Sequence, residues 1–136
     1  MNRVLEARVN AGFSHTLTAT KEALVSQGLQ VMSQVDIRAA VETDCDTPID
    51  PYVVLGAYIP DVVVAAVGSD PSAALFCMFV IVVRGDGDGT KVESYNPATF
   101  LSISDHGASG VGAAGERLEA AMAELASGRY DDRQRP

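Results

Sequence analysis

Tryptophan is missing from this chain of 136 residues, cysteine and histidine occur twice each, and only ten lysines and arginines stand against eighteen acids. Each shortage closes a class of function. With a net charge of −8 and no basic cluster, the chain cannot neutralise a row of phosphates, so nucleic acid is not an expected partner. His15 and His106 form no His-x-x-x-His pair, and Cys45 and Cys77 form no Cys-x-x-Cys pair, so neither a metal site nor another cofactor site is pre-formed. Both histidines read as exposed polar residues. The cysteines read as free thiols in a reducing compartment, although spacing alone leaves a bridge between them open. No apolar run is long enough to span a bilayer, so no membrane partner is expected. Residues 1 to 6 are not followed by a signal-type apolar stretch, and the expected compartment is the cytoplasm.

What is present is an ordinary globular composition, 47% hydrophobic and 21% charged. A chain of this length can form one domain that buries roughly two thirds of its unfolded surface. The expected division is a single domain over residues 1 to 128 and a polar C-terminal tail over 129 to 136.

The centre of that domain is the stretch from Tyr52 to Arg84. It reads as a strand over 52 to 58, a helical turn opened by Pro60, a corner at Asp70 and Pro71, and a very apolar strand over 77 to 83. Before it, residues 4 to 11 alternate, with Leu5, Ala7, Val9 and Ala11 on one face. Ser14 is placed to cap a helix carrying Phe13, Leu17 and Leu24 on one stripe, and Gly28 suits the left-handed residue past its end. Alternation then predicts a strand with Leu29, Val31, Val35 and Ile37 on one side and Gln30, Met32 and Gln34 on the other. Asp36 can cap a short helical turn, and the acidic, proline-containing residues 42 to 51 read as a surface loop. After the centre, glycines between 84 and 90 predict a long hairpin loop into an alternating strand over 91 to 95. Asn96 and Pro97 open a turn, residues 105 to 115 are expected to be mobile, and a last helix takes Val111, Ala114, Leu118, Met122 and Leu125 to one face before Gly128 stops it. Hairpin-type connections make this an α+β domain, a mainly antiparallel sheet of four to five strands with two main helices on one face.

A set of features in fixed order carries a resemblance. Gly28-Leu29, Val35-Asp36, Leu55-Gly56-Ala57-Tyr58-Ile59-Pro60, Asp70-Pro71, Leu75-Phe76-Cys77 and Asn96-Pro97 together resemble the DUF302 family over residues 4 to 125. The family's usual proline before the cysteine is Phe76 here. The resemblance implies a TBP-like fold, with a curved antiparallel sheet and two helices, in a family whose biochemical role is not established.

Gly110-Val111-Gly112-Ala113-Ala114-Gly115 matches half of a dinucleotide fingerprint, but no strand follows that could supply the ribose-binding acid, so it reads as a helix entry. Asp86 and Asp88, like Asp44 and Asp46, have calcium-loop spacing without the glutamate at position twelve, where Pro97 and Leu55 stand. Both acidic stretches read as solvated turns. Cys77 opens the most apolar strand, where a buried thiol is the plain reading. A functional reading places it at a pocket with Asp36, Tyr58 and Glu93 as ligand-binding neighbours. Three functions follow as expectations: a non-enzymatic small-ligand-binding or accessory domain, self-associating as a homodimer, with a pocket between sheet and helices; a thiol enzyme or redox protein using Cys77; or an interaction module. An enzyme requires an accessible, acidified Cys77, whereas an interaction module requires a large apolar patch or an open sheet edge.

Overall fold

The computed structural model describes residues 4 to 72, 77 to 97 and 108 to 132, and for 108 to 113 the backbone only. Along the chain lie β1 (Val4–Val9), α1 (Phe13–Ser26), β2 (Gln30–Asp36), α2 (Ile37–Cys45), β3 (Tyr52–Tyr58), α3 (Pro60–Ser69), β4 (Met78–Asp86), β5 (Gly89–Tyr95) and α4 (Ala108–Ala126). The five strands form one sheet in the order β1-β5-β4-β3-β2, every pairing antiparallel. The expected α+β architecture, a mainly antiparallel sheet of four to five strands with two main helices on one face, is what the chain adopts, with five strands and with two shorter helices besides.

Alternation fixes which face is covered. Leu5, Ala7 and Val9 of β1, Val53, Leu55 and Ala57 of β3, and Phe79, Ile81 and Val83 of β4 are buried. Against them α4 lies over β1, α1 lies over β4 and β5, and the two helices touch. Leu24 from α1 and Leu118 and Leu125 from α4 complete the core at 1% exposure or less. Each such side chain contributes about 1.5–3 kcal/mol by leaving water.

α1 starts one residue before the expected cap. Gly12 is the N-cap, in extended conformation and without a side-chain bond, and Ser14 lies inside the first turn. At the other end Gly28 takes the left-handed conformation, φ +83°. Its N–H donates to the Val25 carbonyl at 2.9 Å, and the Leu29 N–H donates to the Leu24 carbonyl at 3.0 Å. This is a Schellman close with its apolar contact supplied by two buried leucines.

The side assignment in β2 is corrected by a bulge. The register slips between Val31 and Ser33, so Val31 is opposite Ala57 on the helix side while Val35 is opposite Val54 on the other. One inserted residue reverses the sidedness of everything after it. Two loop expectations also shorten. Asp36 caps α2 by accepting from the Ala39 N–H at 2.9 Å, and that helix runs on to Cys45 before Asp46 ends it in a left-handed conformation. The glycine-rich stretch 84 to 90 is mostly strand, because Asp86 pairs with Gly89 across a two-residue turn. Gly87, φ +62°, stands at the first central position, where a II′ turn requires glycine.

Residues 108 to 115 are helical, so of the segment expected to be mobile the remainder, residues 105 to 107, lies outside the described residues, as do Phe76 and His106. The tail is held as far as Asp132. The Asp132 N–H donates to the Asn10 carbonyl at 3.0 Å, the Asn10 N–H donates to Asp131 at 2.9 Å, and the Tyr130 hydroxyl donates to Glu124 at 2.9 Å.

Candidate functional site

The four residues nominated from sequence occupy four different settings. Cys77 is a free thiol with no exposed surface, and burial pushes it above the ordinary thiol range. A nucleophile needs the opposite, a stabilised thiolate within reach of solvent. Asp36 spends its carboxylate on the α2 cap. Glu93 accepts from the Arg84 Nε at 2.7 Å on the sheet face away from α1 and α4. Tyr58 ends β3 opposite Met78, at the same end of the sheet as Cys77. Asp36 is opposite Val53, five residues back along β3, or about 17 Å at the rise of a strand. The structure therefore puts Tyr58 and Cys77 at one end of the sheet, Tyr58 on the open face with Met78 and Cys77 buried, and gathers neither Asp36 nor Glu93 with them.

The other motifs resolve in the same way. The glycines at 110, 112 and 115 sit within α4 rather than at a strand-to-helix turn. Asp86 and Asp88 hold a cation, but it is a side chain: Arg8 reaches Asp86 Oδ2 at 3.4 Å and Asp88 Oδ1 at 3.0 Å. His15 Nε2 lies 2.9 Å from the Tyr130 carbonyl oxygen. Among the described residues no three metal-binding side chains cluster, and both cysteines are unbridged, Cys45 at the surface.

What does assemble is the sheet face opposite α1 and α4, and pairing register spells out its rows. Arg8, Lys91, Arg84 and Tyr52 form one row across β1, β5, β4 and β3, and Glu6, Glu93, Val82, Val54 and Val35 form the next. The charges between these rows neutralise each other. Lys91 meets Glu6 at 3.1 Å and Arg84 meets Glu93 at 2.7 Å, and the bond to Glu93 raises the Arg84 pKa further. Beyond them the face turns apolar. Val80, Tyr95 and Met32 are each more than half exposed, with Val35, Val4 and Met78 close behind. A shallow depression of about 260 Å³ opens there, lined by Val4, Val80, Val82, Glu93, Ser94 and Tyr95.

Sequence reasoning missed this face, although a signal for it existed. β3 and β4 carry apolar residues at both parities, as strands covered on both sides do, yet only two long amphipathic helices were available and both were needed on one side. A second opening lies at the rim of the expected space between sheet and helix, a groove of about 570 Å³ lined by Val4, Leu5, Glu6, Glu119, Met122, Ala123 and Ala126. Among the described residues, the side chains that face between the layers pack into one core cluster.

The fold and its exposed face together define an open five-stranded antiparallel sheet backed by helices. The same fold is found in a crystal structure of an uncharacterized conserved protein DUF302 from Bacillus stearothermophilus, with a TM-score of 0.81 over 92% of this chain and 99% of that one, at 16% identity. The family model described as a domain of unknown function, DUF302, matches residues 5–125. The chain belongs to the DUF302 family. No curated protein matches it.

Proposed function

We propose that this protein is a non-enzymatic interaction domain that self-associates by packing its open sheet face against the same face of a second copy. The observation that carries the reading is the continuous apolar patch formed by Val4, Val80, Val82 and Tyr95 beside charges that already have partners. A face whose ions are satisfied on its own molecule asks nothing of a partner but apolar area, and an identical copy supplies that with two-fold symmetry. Two such faces stack about 10 Å apart. Five strands about 4.8 Å apart, each some 20 Å long, offer roughly 500 Å² per copy, so two copies reach the ~1,000 Å² that a specific interface requires.

The thiol-enzyme reading loses its support in the burial of Cys77. A small-ligand reading would need polar groups converging on a cavity, and the patch offers few beyond Glu93 and Ser94. Sedimentation equilibrium is the test. The wild type is expected to dimerise reversibly, and Val80→Glu, which alters an exposed side chain, is expected to stay monomeric with an unchanged circular dichroism spectrum. A wild type that is monomeric at all concentrations overturns the proposal.

A further inference from the structure

We infer that the free edge of β1 is a strand-addition site for an extended peptide segment of a partner protein that alternates apolar and basic side chains. The orientation of the edge follows from the hairpin. Asp86 and Gly89 close a two-residue turn, so they form a hydrogen-bonded pair, and along β5 the N–H and C=O groups of Thr90, Val92 and Ser94 then point towards β1. Their partners Val9, Ala7 and Leu5 point back, which leaves the main-chain groups of Val4, Glu6 and Arg8 directed off the sheet. Asn10 has the same parity, and both its N–H and its carbonyl are bonded by Asp131 and Asp132 from outside the strand. The outward main-chain groups just past the end of β1 are thus already met by one side-chain and one main-chain bond from the C-terminal segment. Among the described residues nothing does the same for Val4, Glu6 and Arg8.

Unlike β2, β1 carries no bulge, the device that usually spoils an edge for pairing. Beside its Val4 end runs the 570 Å³ groove, whose floor of Leu5, Met122, Ala123 and Ala126 is apolar and whose acids are Glu6 and Glu119. Strand addition takes affinity from main-chain bonds and selectivity from alternate side chains. Here the inward side chain meets an apolar floor, and a cation is drawn to Glu119, which has no cationic partner among the described residues, on a molecule of net charge −8.

A second copy of β1 fits poorly. In a two-fold antiparallel pair the outward groups must match, so a register centred on Glu6 opposes two carboxylates. One centred on Ala7 drives Val4 onto Asn10, whose carbonyl already accepts from Asp132, and one centred on Leu5 pairs, among the described residues, only Val4 with Glu6.

The test is residue-resolved hydrogen exchange on the full chain, with a capped hexapeptide alternating valine and lysine as the probe. The amides of Glu6 and Arg8 are expected to exchange at least tenfold more slowly with the peptide bound. Binding is expected to weaken about tenfold when glutamate replaces lysine in the peptide, and likewise in Glu119→Lys, an exposed helix position that leaves folding intact. Amides already protected without peptide, protection that grows with protein concentration alone, indifference to the sign of the peptide's charge, or protection mapping to β2 would each overturn the assignment. Because Val80→Glu leaves the β1 backbone untouched, it is expected to retain peptide binding even as it abolishes self-association.

Discussion

Cys77 stands at the head of the most apolar strand, and its side chain is fully buried, as the plain reading of a thiol in that position expects. Its thiol is held protonated above the ordinary range by burial, whereas in the unfolded chain it ionises at about pH 8.5. The unfolded state thus gives up its proton first. Stability is fully present below that value and declines as pH rises towards the folded one. In denaturant titrations from pH 7 to 10, Cys77→Ala is expected to be less stable overall but to show a shallower alkaline decline than the wild type; parallel declines would show that the thiol is not the titrating group. Thr16 supplies a second residue-scale prediction. Its hydroxyl is buried without a partner among the described residues, at a cost of about 1–3 kcal/mol. Thr16→Val keeps the β-branch and the shape, so it is expected to raise stability by about 1 kcal/mol, read as a rise in Tm of several degrees. A fall in Tm would contradict this. Gly28 was legible at this scale because only one conformational demand, a positive φ after the helix, decides it. Gly28→Ala is expected to cost about 1 kcal/mol, and chemical denaturation measures it directly.

At the scale of elements, what alternation could show was whether a strand exists, and what it could not show was its phase through an irregularity. Leu5, Ala7 and Val9 were placed on the correct face because β1 pairs without interruption, whereas Val35 was placed on the wrong one because nothing in Val31-Met32-Ser33 announces the slip. The glycines of the β4-β5 connection misled in the other direction. Gly85 and Gly89 are strand residues and only Gly87 does what a turn requires, so composition overstated the loop. α2 was legible through its cap but not in its length, since none of its residues is buried and no core stripe marks its end. That exposure has a consequence. Asp36→Ala removes a cap worth about 1 kcal/mol, and the loss is expected to appear as faster amide exchange confined to α2, with global stability little changed. Exchange accelerating across the whole sheet would contradict this local reading.

At the scale of the whole molecule, the fold was legible because five alternating strands and two amphipathic helices admit few arrangements. The candidate site was not, because it belongs to no single element. It appears only when Val35, Val54, Val80, Val82, Tyr95 and Val4, drawn from all five strands, come to lie side by side. The nominated Glu93 does lie on that face, but as the partner of Arg84 rather than as a ligand group. Salt separates the two kinds of contact. Association through an apolar patch is expected to persist or strengthen from about 0.1 to 1 M salt, where the screening length falls from about 10 to 3 Å, and sedimentation across that range measures it. The most direct measurement of the central claim is the molar mass of wild type and Val80→Glu by sedimentation equilibrium over a wide concentration range. The account predicts a dimer near 28.6 kDa, twice the 14.3 kDa chain, for the wild type and a monomer for the variant. Equal masses for the two proteins, whether monomeric or dimeric, would contradict it.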